Sequence, residues 1–255
     1  MADFLGYAGK RVVIAGCHSG MGEATARLLL ELGAEVHGID YKPCALDLAS
    51  FTRIDIRDEA QIAAGVAEIG GRIDALFNCA GMPGLFGAME VMKTNFLGTR
   101  ALTEAVMPLM DDGGAIASIA STAGIGWPTR LPTVLELVNT KSYAEGLAWC
   151  EAHPNEVSEG YVLSKEAVIV WTMALADELV ARGIRINCTM PGPTQTPMWP
   201  HFEASAPAAI LEAAAQPIGR RSTPEEQSGA LVFLNSDAAS YISGVALPVD
   251  GGRAG

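Results

Sequence analysis

Short apolar runs alternate along this chain with amphipathic stretches of helical period. Arg11 to Ala15 (RVVIA) ends at a glycine and is followed by a helix-period stretch from Glu23 to Leu32. The same theme recurs in Glu35 to Ile39, which ends in Asp40, then in Ile73 to Phe77, Ala115 to Ile119, Ile184 to Cys188 and Val245 to Val249. Helical patterns lie between them, at Glu59 to Ile69, Val91 to Met110, Tyr161 to Ala181 and Pro224 to Leu234. Strands alternating with amphipathic helices build βαβ units, so the expected fold is α/β: a Rossmann-type, doubly wound parallel sheet with helices on both faces.

No shift in composition marks a linker, and 255 residues suit one domain of this type. The net charge of −12 disfavours nucleic acid and an anionic membrane surface. The most apolar stretch, Ala167 to Ala176, lies between Glu166 and Asp177, is too short to span a bilayer, and reads as a core helix. The N-terminus has no signal-peptide pattern. Five cysteines without CxxC spacing suggest reduced thiols in the cytoplasm. His18, His37 and His153 lack ligand spacing, so no metal site is expected.

The first apolar run leads into Gly16-Cys17-His18-Ser19-Gly20-Met21-Gly22, and a helix follows. Glycines let the chain turn tightly and let backbone N–H groups approach a pyrophosphate at a positive helix end. Asp40 ends the second run, 18 residues after Gly22. A carboxylate there can accept hydrogen bonds from both ribose hydroxyls of NAD and would repel the 2′-phosphate of NADP. Ser19, where a cation would hold that phosphate, is uncharged, although Lys42 is near.

Tyr161 and Lys165 form a Tyr-x-x-x-Lys pair, and four residues apart on a helix places them on one face. A phenol with a pKa of about 10 is too weak a base near neutrality. A neighbouring ammonium, or the positive nicotinamide ring, favours the phenolate.

Seven motifs in order resemble those of the short-chain dehydrogenase/reductase family. They are the glycine turn (Gly16, Gly20, Gly22), Asn78-Cys79-Ala80-Gly81, Asn95, Ser121, the Tyr161–Lys165 pair, Pro191-Gly192 followed by Thr196, and a C-terminal signature. That signature comprises Tyr241-Ile242-Ser243-Gly244 and Val249-Asp250-Gly251-Gly252. Ala15, Cys79 and Ala120 depart from the family's usual residues without touching the reacting groups.

The resemblance implies an NAD-dependent dehydrogenase or carbonyl reductase. Tyr161 would be the acid/base and Ser121 would stabilise the substrate oxygen. Lys165 would lower the Tyr161 pKa and hold the nicotinamide ribose, and Asn95 would support a proton path. Cofactor contacts would come from Gly16, Ser19, Gly20, Met21, Gly22, Asp40, Asn78, Ala80, Gly81, Tyr161, Lys165, Pro191, Gly192 and Thr196. Asp55 and Ile56, just past the third strand, would contact the adenine. A homodimer or homotetramer is expected.

Ser121 and Tyr161 are 40 residues apart, more than most of the family allows. The extra segment, about 127–158, carries two helical patterns, Thr133 to Val138 and Tyr143 to Glu151. It resembles a bacterial subgroup acting on coniferyl-type alcohols and 3α-hydroxysteroids. The insertion would either wall the substrate pocket or cover the usual subunit contact. The segment about 197–216 would be a lid, with Met198, Trp199 and Phe202 supplying apolar and aromatic area. That favours a small-molecule apolar alcohol or ketone, bulky and ring-containing. The alternatives are a ketoacyl reductase or a non-catalytic NAD-sensing regulator on the same fold. A regulator would be expected to lack the reacting tyrosine.

Overall fold

The computed structural model describes residues 4–205 and 217–254. Seven strands form one sheet: β1 (Arg11–Ala15), β2 (Glu35–Asp40), β3 (Ser50–Arg53), β4 (Ala75–Asn78), β5 (Ala115–Ile119), β6 (Arg185–Pro191) and β7 (Ala246–Val249). Their order is β3-β2-β1-β4-β5-β6-β7, and every pairing is parallel. From β1 the chain winds first to one side through β2 and β3, then to the other through β4 to β7. The crevice at the carboxyl ends of β1 and β4, where the winding reverses, is the ligand position of such sheets.

Alternation along the strands splits the core. Val13, Ala15, Ile39 and Leu76 join one cluster, while Val12, Ile14, Val36 and Phe77 join the other. Helix α1 (Gly20–Glu31) and a C-terminal helix, Pro224–Asn235, pack together over the second cluster. The first cluster is covered by α2 (Glu59–Ile69), α3 (Ala88–Met92), α4 (Thr99–Val106) and the helices that follow β5.

Those helices are α5 (Leu131–Val138), α6 (Tyr143–Ala152), α7 (Pro154–Val157) and α8 (Tyr161–Val180). Short α9 (Trp199–Ser205) follows β6, and the C-terminal helix Pro224–Asn235 is α10. The insertion thus holds α5 and α6 as expected, and α7 besides. Four residues are too few to show a period, so α7 left only its proline at the first turn as a signal.

The stretch Val91 to Met110, expected as one helix, is broken. Between α3 and α4 the chain widens into a π-helical turn, Lys93–Gly98, and Met107–Leu109 closes as a 3₁₀ turn. The cause lies outside the helix. Asn95 is drawn toward the loop after β4, and a Cβ on Gly98 would stand 2.2 Å from the Ile56 carbonyl oxygen. β4 also begins at Ala75 rather than Ile73, because the Arg11 N–H is taken by the Asp74 carboxylate. Among the described residues no helix is long and apolar enough to cross a membrane. All five cysteines are free, and no group of metal-ligating side chains is found among the described residues.

Candidate active site

The glycine turn leaves β1 at Gly16, whose φ of +87° suits glycine. A Cβ there would lie 2.5 Å from the Ala80 N, and one on Gly22 would lie 2.0 Å from the Gly16 oxygen. These approaches press α1 and the β4 loop together around the crevice. Ser19 is the N-cap of α1, yet its side chain makes no capping hydrogen bond. The first N–H groups of this 12-residue helix therefore look out beside Gly20, as an anion site requires. Across the crevice, a Cβ on Gly20 would touch the Thr196 side chain at 3.4 Å, so Thr196 roofs the turn.

Asp40 is buried at the end of β2. One oxygen accepts the His18 N–H and the other the Lys42 N–H, both at 3.0 Å. Two further lone-pair positions remain for ribose hydroxyls. The Lys42 ammonium lies over the Tyr41 ring at 5.2 Å. These residues fit a dinucleotide: a bare helix end for the pyrophosphate and a carboxylate for the ribose.

Asn78, Asp55 and Ile56 were also expected at the cofactor. Asn78 is buried, and its amide donates to the Thr103 and Ser118 hydroxyls at 2.9 and 3.1 Å. It ties β4 to α4 and β5 and does not line the cavity, because these inward hydroxyls satisfy its N–H groups. The Asp55 carboxylate is held by the Arg57 guanidinium, 2.6 Å at the closest, and Arg57 reaches on to Glu90. That ion pair keeps Asp55 well below the usual carboxylate range and occupies its oxygens away from the cavity. Ile56 is buried, with its carbonyl against Gly98.

The reacting end lies between β5 and α8 in a cavity of about 510 Å³. Met21, Ala80, Gly81, Ser121, Tyr161, Lys165, Pro191, Gly192, Thr196, Met198 and Trp199 line it. Met82, Ala123, Val162, Glu159 and Arg253 line it too, without a motif that would have flagged them.

Gly160 (φ +83°) starts α8, where a Cβ would meet the Ala88 oxygen at 2.6 Å. That close approach seats Tyr161 against α3. Ser121 is extended, accepts the Ala123 N–H at 3.1 Å, and is hydrogen-bonded to Tyr161. Lys165, one helical turn on, is buried and donates to the Ile119 carbonyl at 2.9 Å.

Asn95 holds Met82 by both its N–H (2.8 Å) and its carbonyl (3.0 Å), and donates to Ser164 at 3.2 Å. It thereby fixes the wall that carries Gly81 beside Lys165. Phe202 sits in α9, but its side chain and residues 206–216 lie outside the described residues, so most of the expected lid does as well. His201 packs edge-on against Phe86 at 5.8 Å.

Burial raises the Tyr161 phenol above its ordinary value, and the hydrogen bond from Ser121 opposes that rise. Burial also pulls Lys165 down to about 8. Burial thus acts on both members of the pair, against the ammonium and against the phenolate. The Lys165 ammonium lies 5.7 Å from the ring centroid and is spent on Ile119.

A hydrogen-bonded Ser–Tyr pair backed by a buried lysine, beside a glycine turn at the switch point, suits proton transfer next to a bound dinucleotide. That is the site of a dehydrogenase. Residues 10–131 match the family model described as short chain dehydrogenase, and residues 136–254 match one described as enoyl-(acyl carrier protein) reductase. The chain is 35% identical over 246 residues to the coniferyl-alcohol dehydrogenase of Pseudomonas sp. strain HR199, covering 96% of each. It is 30% identical to the 3α-hydroxysteroid dehydrogenase/carbonyl reductase of Comamonas testosteroni, over 94% of this chain and 95% of that one. The 3α-hydroxysteroid dehydrogenase of Pseudomonas sp. B-0831, solved with NADH, superposes with a TM-score of 0.78 at 28% identity, over 95% of this chain and 96% of that one. The chain belongs to the short-chain dehydrogenase family and is an oxidoreductase.

Proposed function

We propose that this enzyme is an NAD-dependent alcohol dehydrogenase/carbonyl reductase for bulky apolar substrates with a ring, of the coniferyl-alcohol or 3α-hydroxysteroid kind. The hydrogen-bonded Ser121–Tyr161 pair, with Lys165 buried behind it, carries this reading. The cavity wall of Met82, Val162, Met198 and Trp199 supports an apolar substrate, and so do the named relatives. Asp40 and the neutral Ser19 support NAD over NADP.

NAD, when bound, would supply the hydride acceptor. The α1 N-terminus would bind the pyrophosphate, Asp40 the adenosine ribose, and Lys165 the nicotinamide ribose. Ser121 would donate a hydrogen bond to the substrate oxygen and strengthen it as charge develops. Tyr161 would take the alcohol proton in oxidation and return it in reduction. Asn95 holds the wall behind them. The whole chain would act as one cofactor-binding and catalytic unit. The free thiols support a cytoplasmic setting, and exposed Phe233 and Tyr241 support a homo-oligomer, which sedimentation would reveal.

The test is NADH formation with coniferyl alcohol and, in parallel, a 3α-hydroxysteroid, repeated with NADP. Turnover of one with NAD preferred is expected; turnover of neither, or preference for NADP, overturns the corresponding part of the reading. Tyr161→Phe should bind NAD as the wild type does and lose about a thousandfold or more in kcat. Wild-type turnover in that variant would remove Tyr161 from its assigned role.

A further inference from the structure

The insertion begins six residues after Ser121 and ends just before Tyr161, so its two ends adjoin the two groups that must meet at the substrate oxygen. One side chain fastens both ends. Arg130, at the start of the insertion, donates from Nη1 to the Glu166 carboxylate at 2.9 Å. From Nη2 it donates to the Glu156 carbonyl at 2.9 Å and to the Glu156 carboxylate at 3.3 Å. Glu156 stands at the far end of the insertion, in α7, and Glu166 is on α8 directly after Lys165.

Glu166 is not a surface partner. Its side chain is 1% exposed. It also lies under the Ser121 loop: a Cβ on Gly124 would stand 2.9 Å from the Glu166 N, and one on Gly126 3.6 Å from its Oε1. The loop carrying Ser121 therefore rests on the residue that Arg130 holds. Burial raises the Glu166 carboxyl, Arg130 opposes this, and nearby Glu159 adds to it. The planar fork of a guanidinium can serve two acceptors at once, which a lysine ammonium on its flexible stem does less well.

We propose that Arg130 is a positioning residue for catalysis: by clamping the two ends of the insertion to Glu166 on the catalytic helix, it sets the separation of Ser121 and Tyr161. The proposal rests on those two residues being the reacting pair. Nothing in the insertion needs to touch substrate for this role.

The experiment measures kcat, KM and the Kd for NAD, using whichever alcohol of the panel above is turned over, for Arg130→Met, Arg130→Lys, Glu156→Gln and Tyr161→Phe. Arg130→Met should lose at least tenfold in kcat, with the Kd for NAD within twofold of wild type. Arg130→Lys should fall between the two. A folded Arg130→Met enzyme with kcat within twofold of wild type overturns the proposal, as does an equal loss in Arg130→Lys and Arg130→Met. If Arg130→Met does not fold, Glu156→Gln tests the same clamp through its half-exposed arm: a twofold to fivefold loss in kcat supports it and an unchanged kcat overturns it. Tyr161→Phe separates the two ideas. If that variant is active, the assignment of the reacting pair has failed; if it is inactive while the clamp variants are normal, only the clamp has failed.

Discussion

Lys165 is the residue at which function and stability pull apart most clearly. Burial depresses it to about 8, well below an unfolded lysine. The sign follows from proton counting. Below pH 8 both states are protonated, and the folded state carries the full cost of a buried ammonium. Between about 8 and 10.5 the unfolded chain holds more protons than the folded one, so this residue makes stability rise with pH across that window. The shift corresponds to about 3 kcal/mol. Lys165→Met should therefore be more stable than wild type at pH 7 by up to about 3 kcal/mol, less the lost Ile119 bond, and should lose its activity. Urea unfolding at pH 7 and pH 9.5 would check this; the advantage must shrink at the higher pH. Ser158 is a second strained point. It is the one non-glycine with positive φ among the described residues, at 52° with ψ −122°, immediately ahead of the turn into α8. Such backbone is nearly reserved for glycine and costs about 1–3 kcal/mol otherwise. Ser158→Gly should raise the stability by about 1 kcal/mol, and a lowered melting temperature would contradict it.

At the scale of elements, the π-helical turn Lys93–Gly98 interrupts a helical period that runs through it unbroken in the sequence. The interruption serves the site: it brings Asn95 to Met82 and lets Gly98 meet the Ile56 carbonyl. Gly98→Ala would force that carbonyl or the turn aside. We expect a loss of about 3 kcal/mol in denaturant unfolding, with a weaker hold on the Met82 wall. A variant as stable as wild type would mean that the turn tolerates a side chain. The same lesson applies to α8. Its hydrophobic residues are buried nearly all round because the β5 loop, α5 and the sheet cover it on several sides, so it reads as an apolar run.

For the molecule as a whole, the insertion is built into the core. Arg100 of α4, only 2% exposed, donates to the Thr140 hydroxyl at 2.9 Å, the Thr140 carbonyl at 3.2 Å and the Ser142 carbonyl at 2.6 Å. It thus fixes the turn between α5 and α6. Tyr143 donates from its hydroxyl to the Arg57 carbonyl at 2.8 Å. Arg100→Met would leave several of these acceptors without a donor, which we expect to cost about 3 kcal/mol and to open the 139–143 turn to protease. If the variant unfolds at the wild-type denaturant concentration, the insertion is held by its apolar contacts alone.

Local pattern was enough to establish the layered α/β architecture, the glycine turn and the Tyr161–Lys165 pair, because each depends on spacing within one segment; the insertion was legible only through the resemblance to the family, whose gap between the serine and the tyrosine is shorter. Period two or 3.6 is written in neighbouring residues, and a tight turn before a helix needs glycine at particular places. Tertiary structure alone decided what those residues face. Asn78 shares the motif of Ala80 and Gly81 yet turns inward, because Thr103 and Ser118, 25 and 40 residues away, offer it hydroxyls. Asn95 is captured by Met82, and Arg130 by Glu166. These partners meet only after the sheet has brought the ends of β4 and β5 and the start of α8 together. The protonation of the pair was decided there too. Burial raises the phenol and lowers the ammonium, and the Lys165 ammonium meets the Ile119 carbonyl.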